Sequence, residues 1–313
     1  MADRPEPLPP EACTGLVERL LPGARALACE PLPGGVSAQT TALTLEAEDG
    51  ARRRVVVRRY DATSGRHDPG ADLTREHALL RALHEAGLPV AEPLLLDAEG
   101  ALLGTPCLVV AFVERDGDGP ALPPRLERMA AQLAAVHALP THALPPLPER
   151  VDPLPELYDW LPTTPAGAAA RSALAAQPDT RWHGPFVLLH GDFWPENLLW
   201  KDGRIAAVLD WEDAALGDPH ADLAGARLEL ALAHDEAAAE SFTRAYALRR
   251  PLDPGRLPLW ELYVSSAMLH LLGGWGLPPE RERLMRRRAE RFLEGAARRL
   301  AGADPGTAIT FGD

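Results

Sequence analysis

The pattern of apolar residues changes near residue 116, and this change limits the possible folds more than any other feature of the sequence. Before it, apolar residues alternate in short runs that are separated by turn signals, which is typical of β-strands. After it, they recur at the three- and four-residue spacing of amphipathic helices. The segment between, Asp116-Gly117-Asp118-Gly119-Pro120, has the composition of a linker. We therefore predict a strand-rich part at 1–113, a hinge at 114–120 and a larger helical part at 121–313.

Four strands and one helix are predicted before the linker. The strands are alternating or valine-rich runs, at residues 40–46, 53–59, 93–97 and 106–113. Asp49-Gly50 and Glu99-Gly100 are typical turns between the members of each pair. The helix is expected from Asp72, a favoured N-cap residue, to about Ala86. This pattern predicts an antiparallel sheet accompanied by one main helix.

Six helices are predicted after the linker, and a strand-rich island interrupts them. The helices are expected at roughly 124–139, 166–176, 219–233, 236–248, 255–273 and 279–301. The island runs from Phe186 to Trp211 and contains two short apolar strands. A proline-rich stretch between His142 and Pro165 is interpreted as a long surface insertion. The fold class is therefore α+β, with the sheet before most of the helices.

Charge and cysteine content exclude several classes of function. The formal net charge is −13 and no basic cluster with interleaved aromatic residues is present, so we expect no nucleic-acid partner. No run of about 20 apolar residues predicts a membrane span, and no secretory signal is expected. Cys13, Cys29 and Cys107 are widely spaced, which favours neither a disulfide framework nor a zinc site. A cytoplasmic location is therefore expected.

Three polar residues of the island have the spacing of a phosphoryl-transfer centre. Asp192 follows one apolar strand, Asn197 comes five residues later, and Asp210 ends the next strand. A hairpin turn at Lys201-Asp202-Gly203 returns the chain, so the three side chains can converge at one edge. Carboxylate and amide oxygens suit Mg²⁺ rather than zinc. An Asp, four residues, an Asn and a later strand-end Asp is the pattern of a phosphoryl-transferase catalytic loop.

The segment from Leu188 to Ala224, which begins within the island, resembles the aminoglycoside phosphotransferase and choline kinase-like family, which is related to protein kinases. The resemblance rests on His190-Gly191-Asp192, Asn197, Asp210, Gly217-Asp218-Pro219 and Asp222-Leu223. Trp211-Glu212 stands where protein kinases carry Phe-Gly, as is usual in the family. The resemblance implies a two-lobed protein kinase-like fold over essentially the whole chain, with an N-terminal β-sheet lobe and a larger helical C-terminal lobe. It also implies Asp192 as the base, and Asn197 and Asp210 as ligands of Mg²⁺.

A kinase-like fold requires phosphate-binding groups in the strand-rich part. Gly34-Gly35-Val36-Ser37 lies where a phosphate loop belongs, although paired glycines also mark ordinary turns. Arg58 occupies the place of the kinase lysine on the third strand, and the chain's single lysine, Lys201, lies in the other part. Arginine pairs with phosphate and stays charged. Arg59, on the opposite strand face, is the competing candidate.

Two further nucleotide contacts are expected. Glu76 falls within a leucine stripe of the predicted helix, where a carboxylate needs a cationic partner, and Arg58 is the obvious one. The alternative is a glutamate at the edge of the stripe with its head in solvent. The resemblance implies that backbone groups of Phe112, Val113 and Glu114 pair with the nucleotide base. Backbone pairing leaves no side-chain signature that distinguishes adenine from guanine, so both ATP and GTP are kept as donors.

Three residues are expected to support the catalytic loop. His190 is assigned a structural role, in which it braces the backbone of the loop. Asp218 either supports the loop or caps the helix that begins near Pro219, since Asp before Pro is favoured at a helix start. Asp222 resembles the family residue that anchors the loop from a helix, and a solvated helix position is the alternative.

The acceptor is expected to bind against the helical part. The candidate residues are two aromatic and three acidic side chains close to the catalytic loop: Trp194, Glu196, Trp211, Glu212 and Asp213. Together with the net charge of −13, these acids favour a cationic acceptor such as an amino sugar or amino alcohol.

The sequence thus predicts a small-molecule O-phosphotransferase, a kinase that is a monomer or homodimer. It would transfer the γ-phosphate of ATP or GTP, with Mg²⁺, to a hydroxyl of an amino sugar, antibiotic or similar metabolite. A nucleotide-binding module without catalysis is the alternative. A metal-dependent hydrolase built on His183, His190, His220 and Asp192 is disfavoured, because the histidines lack the close spacing of such sites.

Overall fold

An antiparallel sheet forms the first part of the protein. The computed structural model describes residues 8–32, 38–60 and 68–302. Five strands form the sheet: β1 (Arg25–Pro31), β2 (Gln39–Glu46), β3 (Arg52–Arg59), β4 (Pro93–Asp97) and β5 (Cys107–Ala111). They lie in the order β1-β2-β3-β5-β4, and each neighbouring pair is antiparallel. The antiparallel sheet is thus confirmed, and β1 is a strand that the sequence analysis missed.

Two helices cover opposite faces of this sheet: α1 (Thr14–Leu20) and α2 (Pro69–Glu85). Successive side chains of a strand point to opposite faces. Val55 and Val57 accordingly pack in the apolar cluster that contains Leu16 of α1. Leu108 and Leu73, the latter from α2, belong to the cluster on the other face. This alternation also decides which face each arginine of β3 presents.

Helix α2 begins earlier than predicted, and Asp72 is not its N-cap. Asp68 holds that position, and its side chain accepts a hydrogen bond of 3.0 Å from the N–H of Ala71. Pro69 takes the first helical position, where its fixed φ is favourable and its missing N–H costs nothing. Asp72 instead pairs with Arg75 along the helix surface.

The rest of the chain is mainly helical. Its helices are α3 (Leu122–Val136), α4 (Glu156–Trp160), α5 (Pro165–Ala175), α6 (His220–Ala233), α7 (Glu236–Ala247), α8 (Leu257–Leu271) and α9 (Pro279–Leu300). Its strands are β6 (Glu149–Arg150), β7 (Val187–Leu189), β8 (Leu198–Lys201), β9 (Arg204–Val208) and β10 (Ala215–Gly217). All predicted helices are present, and α4 is additional. Within the described ranges, every helix is too short or too polar to cross a bilayer.

The proline-rich stretch before α5 is part of the folded structure, which corrects its interpretation as a surface insertion. Strand β6 pairs in parallel with β10, and β10 pairs with β7. Leu157 and Leu161 are buried in the apolar cluster beneath α8 and α9. The apolar residues between the prolines therefore anchor the stretch, although the prolines keep most of it out of regular structure.

The linker is joined to the hairpin of β8 and β9. The N–H of Asp116 donates to the carbonyl of Trp200 over 3.0 Å, and Gly117 forms a bridge to the same residue. One apolar cluster also continues from Leu73 and Leu108 to Leu189 and Trp260. The predicted boundaries between the strand-rich part, the hinge and the helical part, at 113 and 121, stay a prediction. The apolar cluster extends across them and does not mark a division there.

Candidate active site

A cleft opens between the sheet and the hairpin of β8 and β9. Its cavity of about 370 Å³ lies in the range of small-molecule sites. Apolar side chains such as Val56 and Leu199 form much of its wall. Several predicted site residues also line it: Arg58, Glu76, Phe112, Val113, Glu196, Asn197, Asp210 and Trp211. The sheet and the island therefore bring their polar residues to one cavity.

Asp222 anchors the loop that carries Asp192. It lies buried in the first turn of α6 and accepts hydrogen bonds from the backbone N–H groups of His190, over 2.7 Å, and Gly191, over 2.9 Å. Burial alone would raise the pKa of Asp222. The hydrogen bonds that the His137 side chain and the His190 backbone donate to it hold that pKa below its usual range. The carboxylate therefore stays ionised and fixes two consecutive backbone groups of the loop.

His137 and Tyr246 extend this anchor, and the sequence analysis missed both. Nε2 of His137 donates to Asp222 over 3.1 Å, because a carboxylate can only accept. The hydroxyl of Tyr246 then donates to Nδ1 of the same ring over 2.6 Å. Burial lowers the pKa of His137, although Asp222 opposes this, and the lowered pKa favours the neutral ring in this tautomer. The loop is thereby tied to the end of α3 and to α7.

His190 braces the loop against the strand that precedes Asp210. Its Nε2 donates to the carbonyl of Leu209 over 2.8 Å, and its Nδ1 accepts from the N–H of Asp192 over 3.2 Å. The ring also lies 4.5 Å from the ring of Trp211, measured between centroids. His190 therefore links the two segments that carry the acidic residues.

Gly191 has no room for a side chain. Its φ is +91°, and an added Cβ would lie 2.3 Å from the carbonyl oxygen of Asp213. We expect Gly191→Ala to lower the free energy of unfolding by about 2 kcal/mol or more, because backbone strain adds to the overlap. Chemical denaturation checks this. Gly225→Ala is the matched control, since a Cβ there meets nothing within 4 Å and alanine favours the helix. Equal stability of the two variants would contradict the prediction.

Asp192 and Asn197 form a direct pair. Nδ2 of Asn197 donates to the backbone carbonyl of Asp192 over 2.8 Å and to its Oδ2 over 2.9 Å. Loss of solvation raises the pKa of Asp192; the neighbouring His190 and the Asn197 hydrogen bond oppose this, whereas Asp210 and Asp213 add to it. Since the amide nitrogen faces Asp192, the amide oxygen is the atom of Asn197 that can meet a metal ion.

Asp210 is held in an unusual backbone conformation. Its φ is +62°, in the left-handed region that few residues other than glycine, asparagine and aspartate adopt. Its Oδ1 accepts a hydrogen bond of 3.0 Å from Nη2 of Arg58. The carboxylate of Asp210 and the amide oxygen of Asn197 are hard oxygen donors, and both residues line the cavity. This donor set fits Mg²⁺.

Arg58 is the cation of the cleft, and Arg59 lies on the other strand face. Nη1 of Arg58 pairs with Glu76 of α2, and its side chain is only 15% exposed. Arg59 instead donates through Nη2 to Gln39 over 2.8 Å. Burial would lower the pKa of Arg58, but the surrounding acidic groups, Glu76 first among them, raise it above its usual value. Glu76 is buried rather than solvated at its head.

Two of the three predicted base-binding residues after β5 line the cleft, and the third does not. Phe112 and Val113 line the cavity, and the guanidinium of Arg54 lies 3.6 Å above the ring of Phe112. Glu114 instead faces Arg54, with 3.5 Å between Oε1 and Nη1. The predicted phosphate loop, with Gly34, Gly35 and Ser37, lies outside the described residues.

Asp218 makes its side-chain contacts behind the catalytic loop rather than on it, which corrects its predicted support role. It accepts hydrogen bonds of 2.6 Å from His220 and from Trp260, and it also pairs with Arg256. Its Oδ1 accepts the N–H of His220 over 3.0 Å, so it also satisfies the start of α6. These contacts join α6 to α8. They could not be predicted, because nothing in the local sequence reveals where Arg256 and Trp260 lie.

The predicted acceptor residues divide into two groups. Trp211 is 2% exposed, although it lines the cavity, and Glu212 accepts a hydrogen bond of 3.0 Å from Tyr60. Glu196 and Asp213 are exposed, and Trp194 is half-buried. The acceptor roles of these residues stay predictions.

Glu229 is a further acidic residue that the sequence analysis missed. It is half-buried on α6, seven residues after Asp222, and therefore lies on the same helix face two turns further along. Burial raises the pKa of Glu229 to about 7, and the charges of Asp192 and Glu196 contribute. Glu229 belongs to no recognisable motif, so the sequence gives no signal that it lies near the catalytic loop.

The three histidines of the disfavoured hydrolase have separate partners. His183 pairs with Asp179 at the surface, whereas His190 and His220 belong to the two networks described above. Across the described ranges, no group of three or more histidine, cysteine or acidic side chains is arranged to hold a metal ion. The structure therefore does not bring these histidines together.

The fold and the cleft together define a kinase-like phosphotransferase. The family model of the phosphotransferase enzyme family matches residues 28–260. This match includes all of the sheet except the first residues of β1, together with the cleft residues and the anchored loop, and the chain belongs to this family. The resemblance that the island carries is thus confirmed.

Solved structures share the fold over nearly the whole chain. A protein assigned as an aminoglycoside phosphotransferase from Ralstonia eutropha aligns with a TM-score of 0.68 at 19% identity, over 93% of this chain and 98% of its own. An aminoglycoside phosphotransferase solved with ADP and hygromycin B gives 0.62 at 19%, over 92% and 98%. A choline/ethanolamine kinase family protein from Mesorhizobium loti gives 0.58 at 22%, over 88% and 92%. These likenesses show the kinase-like fold.

Curated relatives are much longer proteins. The acyl-CoA dehydrogenase family member 10 of Mus musculus is 31% identical over 56% of this chain, which is 18% of that protein. The acyl-CoA dehydrogenase family member 11 of Rattus norvegicus is 28% identical over 64% of this chain and 30% of that protein. The chain thus matches less than a third of the length of either relative.

Proposed function

We propose that the protein transfers the γ-phosphate of ATP or GTP to a hydroxyl group of a small molecule. The observation that carries this proposal is the convergence at one cleft of two sets of residues. Asp192 and Asn197 are paired on the anchored loop, and Asn197 lines the cavity. Arg58 joins β3 to Asp210 across the cleft. A base, oxygen donors for a metal ion and a fixed cation are the groups that phosphoryl transfer requires.

Each of these residues has a proposed task. Asp192 accepts the proton of the acceptor hydroxyl, and its raised pKa suits a base. Arg58, held by Glu76, faces the phosphates, and the backbone at Phe112 and Val113 meets the base of the nucleotide. Asn197 and Asp210 would hold Mg²⁺, which when bound neutralises charge on the phosphates. The apolar walls of the cavity, which include Val56 and Leu199, would limit the access of water.

The acids beside the loop favour a cationic acceptor. Glu196 and Asp213 are exposed, and Glu229 lies on the same helix face as the anchoring Asp222. Ammonium groups of an amino sugar or amino alcohol would complement these charges. One neighbour in fold was solved with hygromycin B, which supports an antibiotic-like acceptor as a candidate.

Glu229 makes acceptor binding depend on pH. With its pKa raised to about 7, Glu229 gains a proton as the pH falls below that value and loses its attraction for a cation. We expect KM for an amine-bearing acceptor to rise as the pH is lowered from 8 to 6. Steady-state kinetics on Glu229→Gln, at each pH, should show a KM that is already raised and changes less over that range. A wild-type pH profile that the variant reproduces would contradict the role of Glu229.

A hydroxylated acyl thioester is a second candidate acceptor. It is favoured by the curated relatives, which are all named as members of the acyl-CoA dehydrogenase family. A kinase that matches part of such proteins could act on a hydroxyl of the acyl chain. The acidic side chains near the loop oppose it, because coenzyme A carries several negative charges.

Turnover of nucleotide in the presence of acceptors tests the proposal. Purified protein, Mg²⁺ and ATP or GTP would be incubated with a panel of amino sugars, macrolides, choline, homoserine and hydroxyacyl thioesters. We expect ADP or GDP release that depends on one acceptor class, together with a phosphorylated product. Tight nucleotide binding without turnover on any acceptor would favour the alternative of a non-catalytic nucleotide-binding module.

A further inference from the structure

We infer that Glu212 is a positioning residue that receives the guanidinium of Arg58 when a metal ion engages Asp210. The inference rests on the proposed function, since it concerns a complex with Mg²⁺ and nucleotide. Nη2 of Arg58 has two carboxylates beside it, with Asp210 Oδ1 at 3.0 Å and Glu212 Oε2 at 3.7 Å. The first contact is a hydrogen bond, whereas the second exceeds hydrogen-bond length. A second anion is thus already in place next to the same nitrogen.

Asp210 cannot serve a metal ion and Arg58 equally well through the same oxygen. Mg²⁺ requires close oxygen coordination, at about 2.0–2.1 Å. Its charge repels a guanidinium that is bound to the same carboxylate oxygen. Glu76 holds Arg58 at its other terminal nitrogen, so Nη2 can shift while the group stays anchored. Closing the gap to Glu212 from 3.7 Å to an ordinary charge-assisted bond requires about 0.8 Å of movement.

The low exposure of both side chains favours such a second anion. The side chains of Arg58 and Glu212 are 15% and 16% exposed. A charge that loses its partner in so shielded a place is costly. Tyr60, which is 1% exposed, holds Glu212 by donating to its Oε2 over 3.0 Å. Glu212 therefore offers Arg58 a held partner of opposite charge when Arg58 leaves Asp210.

Calorimetric titration of ADP at a series of Mg²⁺ concentrations tests this shift of Arg58 from Asp210 to Glu212. Glu212→Gln keeps the size of the side chain and its hydrogen bond from Tyr60 but removes the charge. We expect the Mg²⁺ concentration that half-maximally enhances ADP binding to rise about tenfold, the factor that one charge-assisted hydrogen bond carries. ADP affinity without Mg²⁺ should stay within about twofold of the wild type. Glu127→Gln, at an exposed position of α3, is the control and should match the wild type.

Each other result is decisive. If Mg²⁺ enhances ADP binding to Glu212→Gln as it does to the wild type, the phosphates alone receive Arg58 and the inference is wrong. If the variant loses Mg²⁺ enhancement altogether, Glu212 binds the metal ion itself, which also overturns it. A wild-type protein without any Mg²⁺ enhancement would contradict the proposed function instead. Should Glu212→Gln fail to fold, Tyr60→Phe replaces it, with a smaller increase expected and no increase counting against the inference.

Discussion

Replacement of Asp192 by asparagine will lower kcat by about 10²-fold or more, the usual scale for losing a general base. The amide cannot accept the proton of the acceptor hydroxyl. Its oxygen still accepts the hydrogen bond that Asn197 now donates to Asp192, so the loop keeps its geometry. Nucleotide affinity should therefore barely change. Steady-state kinetics with an identified acceptor, together with ADP titration, measure the two effects separately.

An exposed aspartate provides the control for this experiment. Asp159→Asn, on the surface of α4, makes the same chemical change outside the cleft and should leave kcat unchanged. Turnover by Asp192→Asn within a few-fold of the wild type would remove Asp192 from its role as base. A parallel fall in nucleotide affinity would mean that the variant has disturbed the cleft rather than the proton transfer.

Replacement of Asp210 by alanine will abolish the enhancement of nucleotide binding by Mg²⁺. A dication beside phosphates depends on its carboxylate ligand, and Asp210 supplies that carboxylate in the cavity. Asn197→Ala should weaken the enhancement less, since the amide is a neutral ligand. Titration of ADP with and without Mg²⁺ gives the order of the two variants.

The same titration contains its own check. Asp210→Ala also removes a partner of Arg58. Because Glu76 still holds that cation, ADP binding without Mg²⁺ should be retained. The reverse order, with Asn197→Ala the more damaging variant for Mg²⁺, would show that the metal roles are assigned wrongly.

Local patterns were enough to predict one part of the cleft. The alternation of β3 places Arg58 and Arg59 on opposite faces, and the leucine stripe of α2 fixes the side that Glu76 presents. The spacing of the island brings Asp192 and Asn197 into contact, because only a short turn separates them. Their catalytic roles stay proposals.

Contacts between distant segments were not accessible to the same reasoning. His137 and Tyr246 reach the loop through Asp222, and they are 109 residues apart in the sequence. Neither residue has a local signature, because a buried histidine or tyrosine on a helix is ordinary. The left-handed φ of Asp210 likewise redirects Glu212 towards Arg58 and Tyr60, and no residue type in that segment demands it.

Arg58 also changes which reagents can report on the cleft. Nucleotide reagents that acylate a neighbouring amine need a lysine beside the phosphates, and a guanidinium stays protonated and unreactive towards them. The single lysine of the chain, Lys201, is exposed at the end of β8, in the hairpin turn. Such reagents would therefore modify Lys201 and leave the cleft unlabelled. A dicarbonyl reagent that is selective for arginine suits this cleft instead. Comparing its modification of Arg58 with and without nucleotide would report on occupancy of the cleft.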